Sequence, residues 1–131
     1  MVTKIERVLQ ELNENGNFKA SLFSTPAGLL LASQKTEEVD EKTLAAMGSL
    51  LTDAAFKAQD EMGLSPLDTL RIRYIDDLII MKNIILSEDA HFLLAIIAKA
   101  PESNDVDKYY DQLLDWAVEN SRDFLKQMSS L

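Results

Sequence analysis

Two apolar runs constrain this chain more than any other feature: Leu78-Ile79-Ile80-Met81 and Phe92-Leu93-Leu94-Ala95-Ile96-Ile97. Asp76-Asp77 precedes the first, Ser87–Ala90 separates the two, and Pro101 follows the second, so both read as strands between turns. A strand with one face in water alternates apolar and polar residues, whereas one that does not alternate is covered on both faces. The rest of the chain must therefore supply helices for both sides of a sheet.

Three helical stretches are available. Residues 3–15 place Ile5, Val8, Leu9 and Leu12 at helical spacing and stop at Asn15-Gly16. Residues 41–62 follow Asp40, a capping residue, and stop at Gly63. Residues 105–128 carry Val106, Tyr110, Leu113, Leu114, Ala117, Phe124, Leu125 and Met128 on one face. Strand-like runs at 18–24 and 29–33 flank Thr25-Pro26-Ala27-Gly28, whose proline presets φ and whose glycine frees the turn's end. A further run, 69–75, alternates Leu70, Ile72 and Tyr74 with Arg71 and Arg73, as a half-exposed edge strand does. The order is helix, two strands, helix, three strands, helix, and 131 residues make one domain, residues 1–131.

The 41–62 helix is unusually lean. Its expected buried stripe is Leu44, Met47, Gly48, Leu51, Ala54, Ala55, Ala58 and Met62, with Ala45 and Ala46 on the flank and Leu50 and Phe56 off the stripe. More apolar surface is present than packing on one sheet requires. Two readings stand open, ordinary sheet packing and a second contact across a subunit interface. The 69–75 edge would be hidden by pairing with its own copy.

Chemistry is conspicuous by absence. Without cysteine there are no disulfides, thiol nucleophiles or cysteine-based zinc sites. The glycines, 16, 28, 48 and 63, match neither a phosphate loop nor a dinucleotide fingerprint. His91, the one histidine, reads as a strand-start or surface residue rather than a catalytic one. Asp76-Asp77 reads as a turn, since a hard cation needs more oxygens than these. Asp111 and Asp115 form a repulsive i,i+4 pair, and Glu37, Glu38, Asp40 and Glu41 a solvated loop and helix start. Arg71 and Arg73 are edge guards or receivers of an acidic partner, and Tyr109, Tyr110 and Trp116 divide between core and surface. No catalytic residue, metal site or cofactor is expected.

A net charge of −9 disfavours nucleic acid and anionic membranes. The start, from Met1-Val2, lacks an apolar leader core, and no apolar run approaches the roughly 20 residues that span a bilayer. A cytoplasmic location without membrane insertion is the expectation.

Phe18-Lys19-Ala20-Ser21-Leu22-Phe23-Ser24, Ala27-Gly28-Leu29-Leu30-Leu31-Ala32-Ser33 and Leu44-Ala45-Ala46-Met47 opening an Ala-rich helix together resemble the Roadblock/LC7 family over nearly the whole chain. Ala27 departs from the Asp that commonly precedes the hairpin glycine there. The resemblance implies an α/β fold of order αββαβββα, a five-stranded antiparallel sheet between the middle helix and the two outer helices. It implies dimerisation through middle helices and third strands, hence an interface of Leu44, Met47, Gly48, Leu51, Ala54, Ala55 and Ala58 with Leu70, Arg71, Ile72, Arg73 and Tyr74. The function it implies is that of a non-enzymatic homodimeric adaptor or regulator of a small Ras-like GTPase. The alternative is a scaffold or light-chain-like subunit of a larger complex. Arg71 or Arg73 inserted as an arginine finger is disfavoured, because both lie on the strand that would pair.

Overall fold

A computed structural model describes residues 3–36 and 38–130. The leader reading at Met1-Val2 and the loop reading of Glu37 fall outside the described residues. The elements are α1 (Lys4–Gly16), β1 (Ala20–Ser24), β2 (Leu30–Lys35), α2 (Glu41–Met62), β3 (Thr69–Arg73), β4 (Asp77–Ser87), β5 (Ala90–Lys99) and α3 (Asn104–Ser129). The five strands form one sheet in the order β2-β1-β5-β4-β3, every neighbouring pair antiparallel. The two apolar runs occupy its interior as β4 and β5, and β2 and β3 are its edges.

Because side chains alternate across a strand, each interior strand feeds two cores. Leu78, Ile80 and Ile84 of β4 and Phe92, Leu94, Ile96 and Ala98 of β5 face α1 and α3. Ile79, Met81, Ala95 and Ile97 face α2. On the first side α1 contributes Ile5, Val8, Leu9 and Leu12, and α3 contributes Tyr110, Leu114, Ala117, Val118 and Leu125. Phe18 meets Tyr110 edge-on at 5.1 Å, and the Tyr110 hydroxyl donates to the Lys99 carbonyl at 3.1 Å. Burial, helped by the charge of Asp107, raises the Tyr110 hydroxyl above its ordinary pKa.

Local chemistry sets the helix ends. Thr3, Asp40 and Ser103 cap α1, α2 and α3 by accepting from backbone N–H groups three residues on. The stop at Asn15-Gly16 works differently from the sequence expectation. Asn17, not Gly16, takes the left-handed conformation that closes α1, at φ 53°. Gly16 is helical, and a Cβ there would lie 2.4 Å from the buried Phe18 ring.

Two expectations are corrected. The strand proposed over 69–75 ends at Arg73, because the Tyr74 N–H turns back to the Asp77 carbonyl at 2.8 Å. Ile75 is left 93% exposed at the turn. The stripe assigned to α2 is also rotated. Its buried residues are Leu44, Ala45, Gly48 and Thr52, while Met47, Ala54 and Met62 are exposed and Leu51, Ala55 and Ala58 half-buried. Thr52 tolerates burial because its hydroxyl donates to the Gly48 carbonyl one turn back, at 2.7 Å. Ala45 joins Leu22, Met81 and Ala95 in the core on this side, and the β1–β2 turn approaches the same stretch of α2: a Cβ on Gly28 would stand 3.5 Å from the Ala45 carbonyl.

Candidate functional site

The expected interface residues divide into three groups. Leu44 and Gly48 face their own sheet, where a Cβ on Gly48 would touch the Met81 side chain at an ordinary 3.5 Å. Met47, Leu51 and Tyr74 join Leu44 around an apolar groove of about 250 Å³ between the N-terminal half of α2 and the sheet. Ile79, Met81 and Ile97 are also part of its lining. Met47 is 49% exposed and Tyr74 51%. Ala54, Ala55 and Ala58 continue along α2 beyond the groove, with Ala54 open to solvent. Leu70 packs with the cores on the α2 side, and Ile72, two residues on, lies on the same face, half-buried.

Polar groups fix the groove's mouth. Asp40 accepts from the Thr43 N–H at 3.1 Å, which holds its carboxyl below the usual carboxylate range. Glu41 is lowered first by its own backbone N–H and then by Lys35, 3.1 Å away; the same contact raises Lys35. A second clamp holds the β1–β2 turn to α2. The Gly28 N–H donates to the Thr25 carbonyl at 2.9 Å, and the Ser49 hydroxyl donates to the Pro26 carbonyl at 2.8 Å. Gly28 has φ +95°, and a Cβ there would lie 3.2 Å from Ser49, so glycine suits both the conformation and the approach.

Arg71 and Arg73 lie on the opposite face from Leu70. The Arg71 guanidinium donates to Asp111 at 2.7 Å and pairs with Asp107, and Lys82 meets Asp115 at 3.0 Å. Arg73 reaches the Pro101 carbonyl at 3.4 Å. The repulsive pair read from Asp111 and Asp115 is thus part of a longer row, Asp107-Asp111-Asp115, laid against Arg71 of the edge strand β3 and Lys82 of its neighbour β4. Its signal was present in the regular spacing of three aspartates. The partners were hidden because they lie 33 or more residues away.

The other candidates have structural neighbours. Asp77 pairs with Lys19 at 2.7 Å, and the Asp76 carbonyl accepts from Ala100 at 3.0 Å, in keeping with a turn. Tyr110 is buried, Trp116 half-buried and Tyr109 exposed. His91, the second residue of β5, is half-buried, its ring edge-on to Phe56 at 5.4 Å. Asn83 donates through Nδ2 to the Leu67 carbonyl, so its Oδ1, 2.9 Å from His91 Nδ1, accepts. Burial pushes the His91 pKa down. Among the described residues, no group of three or more His, Cys, Asp or Glu could hold a metal ion, and no helix is long and apolar enough to cross a membrane.

No family model matches the sequence. An uncharacterized protein of Methanocaldococcus jannaschii is 40% identical over 68 residues, 52% of this chain and 58% of that protein. A second from the same organism is 37% identical over 68 residues, again 52% of this chain and 60% of its own length. The chain thus spans less than two thirds of these relatives. Similarity of structure is broader. MglB of Myxococcus xanthus superposes with a TM-score of 0.78 at 18% identity, covering 98% of each chain. The gliding protein MglB of Thermus thermophilus gives 0.79 at 15% identity, covering 95% of this chain and 90% of its own. A Roadblock/LC7 domain from Streptomyces avermitilis gives 0.78 at 13% identity, covering 95% and 99%. Element order, sheet topology and these superpositions agree: the chain has the Roadblock/LC7 fold.

Proposed function

We propose that this protein is a non-enzymatic adaptor that works as a homodimer and binds a small Ras-like GTPase through surfaces the dimer creates. One observation carries the reading: the α2 side of the sheet is left with an apolar groove at Leu44, Met47, Leu51 and Tyr74, beside the unpaired edge of β3. An apolar groove and an open strand edge side by side are what a second copy would cover, by helix packing and by strand pairing. The GTPase comes from the resemblance of the sequence to Roadblock/LC7 domains, and hydrolysis would be the partner's work.

Oligomeric state tests the first half. Met47 is exposed in the protomer, so Met47→Glu leaves the folded chain intact and sets a charge in the interface. Light scattering on a sizing column should give a dimer for the wild type and a monomer of unchanged circular dichroism for the variant. A wild-type monomer at tens of micromolar overturns the dimer. For the second half, GTPases recovered from the native host are assayed for hydrolysis and nucleotide exchange with and without this protein. Binding without any change in either rate would favour the scaffold reading.

A further inference from the structure

A second groove, of about 620 Å³, lies at the other end of α2, between its last turns, the 63–68 connection and the β4–β5 turn. Its apolar walls are Phe56, Pro66 and Ile85, with the His91 ring set edge-on to Phe56. Its shape is braced by hydrogen bonds. The Leu67 N–H donates to Gln59 Oε1 at 2.9 Å, and Asn83 Nδ2 donates to the Leu67 carbonyl at 2.9 Å. These bonds occupy polar groups that a mobile loop would leave to water.

Two carboxylates, Asp60 and Glu88, share the rest of the lining with Gln59, Asn83 and Ser87. Both carboxylates are exposed, and neither belongs to an ion pair among the described residues. Exposed carboxylates elsewhere, Glu14 and Asp123 among them, also lack an ion pair; what sets these two apart is their place beside the apolar walls of the groove. Among the described residues, no Lys or Arg lines the groove. Apolar walls with an aromatic ring, unmatched negative charge at the rim and a molecular charge of −9 are complementary to one kind of side chain, a cation on a long aliphatic stem.

We propose that this groove receives an arginine or lysine from a basic, extended segment of a partner protein, its stem against Phe56 and Ile85 and its charged head at Asp60 and Glu88. The groove is complete within one protomer, so the proposal does not rest on the dimer or on the GTPase.

The probe is a fluorescein-labelled, acetylated peptide of alternating Arg and Ala, titrated against the full chain at low ionic strength, with amide shifts followed by NMR. Shifts should cluster around Phe56, Asp60 and Glu88, and Asp60→Asn/Glu88→Gln should weaken binding at least about tenfold. The control Glu14→Gln/Asp123→Asn removes the same charge from the exposed surfaces of α1 and α3 and should weaken it less than about threefold. Phe56→Leu should weaken binding while the circular dichroism stays unchanged. Any of three results overturns the proposal: no binding to the wild type at about 1 mM peptide, shifts clustered elsewhere, or equal losses from the two charge-matched pairs, which would mean unspecific attraction.

Discussion

Single residues here are often explained by a neighbour that sequence spacing does not reveal. Gly16 looks like a helix stop, yet its lack of a side chain makes room for the Phe18 ring, which is fully buried. Gly16→Ala should therefore destabilise the protein by about 1–3 kcal/mol, the usual range for overpacking, in a urea titration. Gly48 looks equally special and is not. A methyl there finds ordinary contact with Met81, so Gly48→Ala should be neutral or stabilise by up to about 1 kcal/mol through helix propensity. His91 provides a pH signature. Its folded-state pKa is depressed below 6.5, so on acidification the unfolded chain takes up the proton first. Stability from this group is whole above 6.5 and is lost as pH falls through the folded-state value. Urea midpoints measured from about pH 7 down to 5.5 should fall more for the wild type than for His91→Gln. The histidine's place on a strand start was legible from the run that follows it. Its bond to Asn83 was not, because the β4–β5 register that brings the two strands together is a property of the sheet.

At the scale of elements the sequence was informative where one periodicity dominated. β4 and β5 announced themselves by unbroken apolar runs, and α1 by four residues at helical spacing. α2 was legible as a helix, but its orientation was not. With alanines on several sides, its hydrophobic pattern names no unique face, and the buried seam includes a threonine that satisfies its own hydroxyl and so does not read as apolar. α3 shows the complementary case, a helix whose docking is partly ionic. Arg71 and Asp111 are both partly exposed, so their coupling should be small. A double-mutant cycle with Arg71→Ala and Asp111→Ala should return about 0.5–1 kcal/mol, shrinking with added salt. A coupling of zero would mean that the acidic row is only a charged surface.

Across the whole molecule the two layers are unequal. α1, α3 and their face of the sheet enclose a continuous core, whereas α2 covers its face with a smaller cluster and leaves a groove toward each of its ends. If the groove at Met47 is closed by a second copy, folding and association are linked. The wild-type melting temperature should then rise with protein concentration, and that of Met47→Glu should not, by calorimetry across a hundredfold dilution series.

The packing of α1 against α3 has a consequence for how the chain comes into being. α3 lies far downstream of α1 in the chain, so the better-filled core closes only once α3 has been made. At ribosomal speeds of about 5–20 residues per second, α1 waits several seconds for α3, with β1 and β2 as its first packing partners. A helix as short as α1 is marginal alone, and during that interval it is a natural client for whatever shields nascent chains at the tunnel exit.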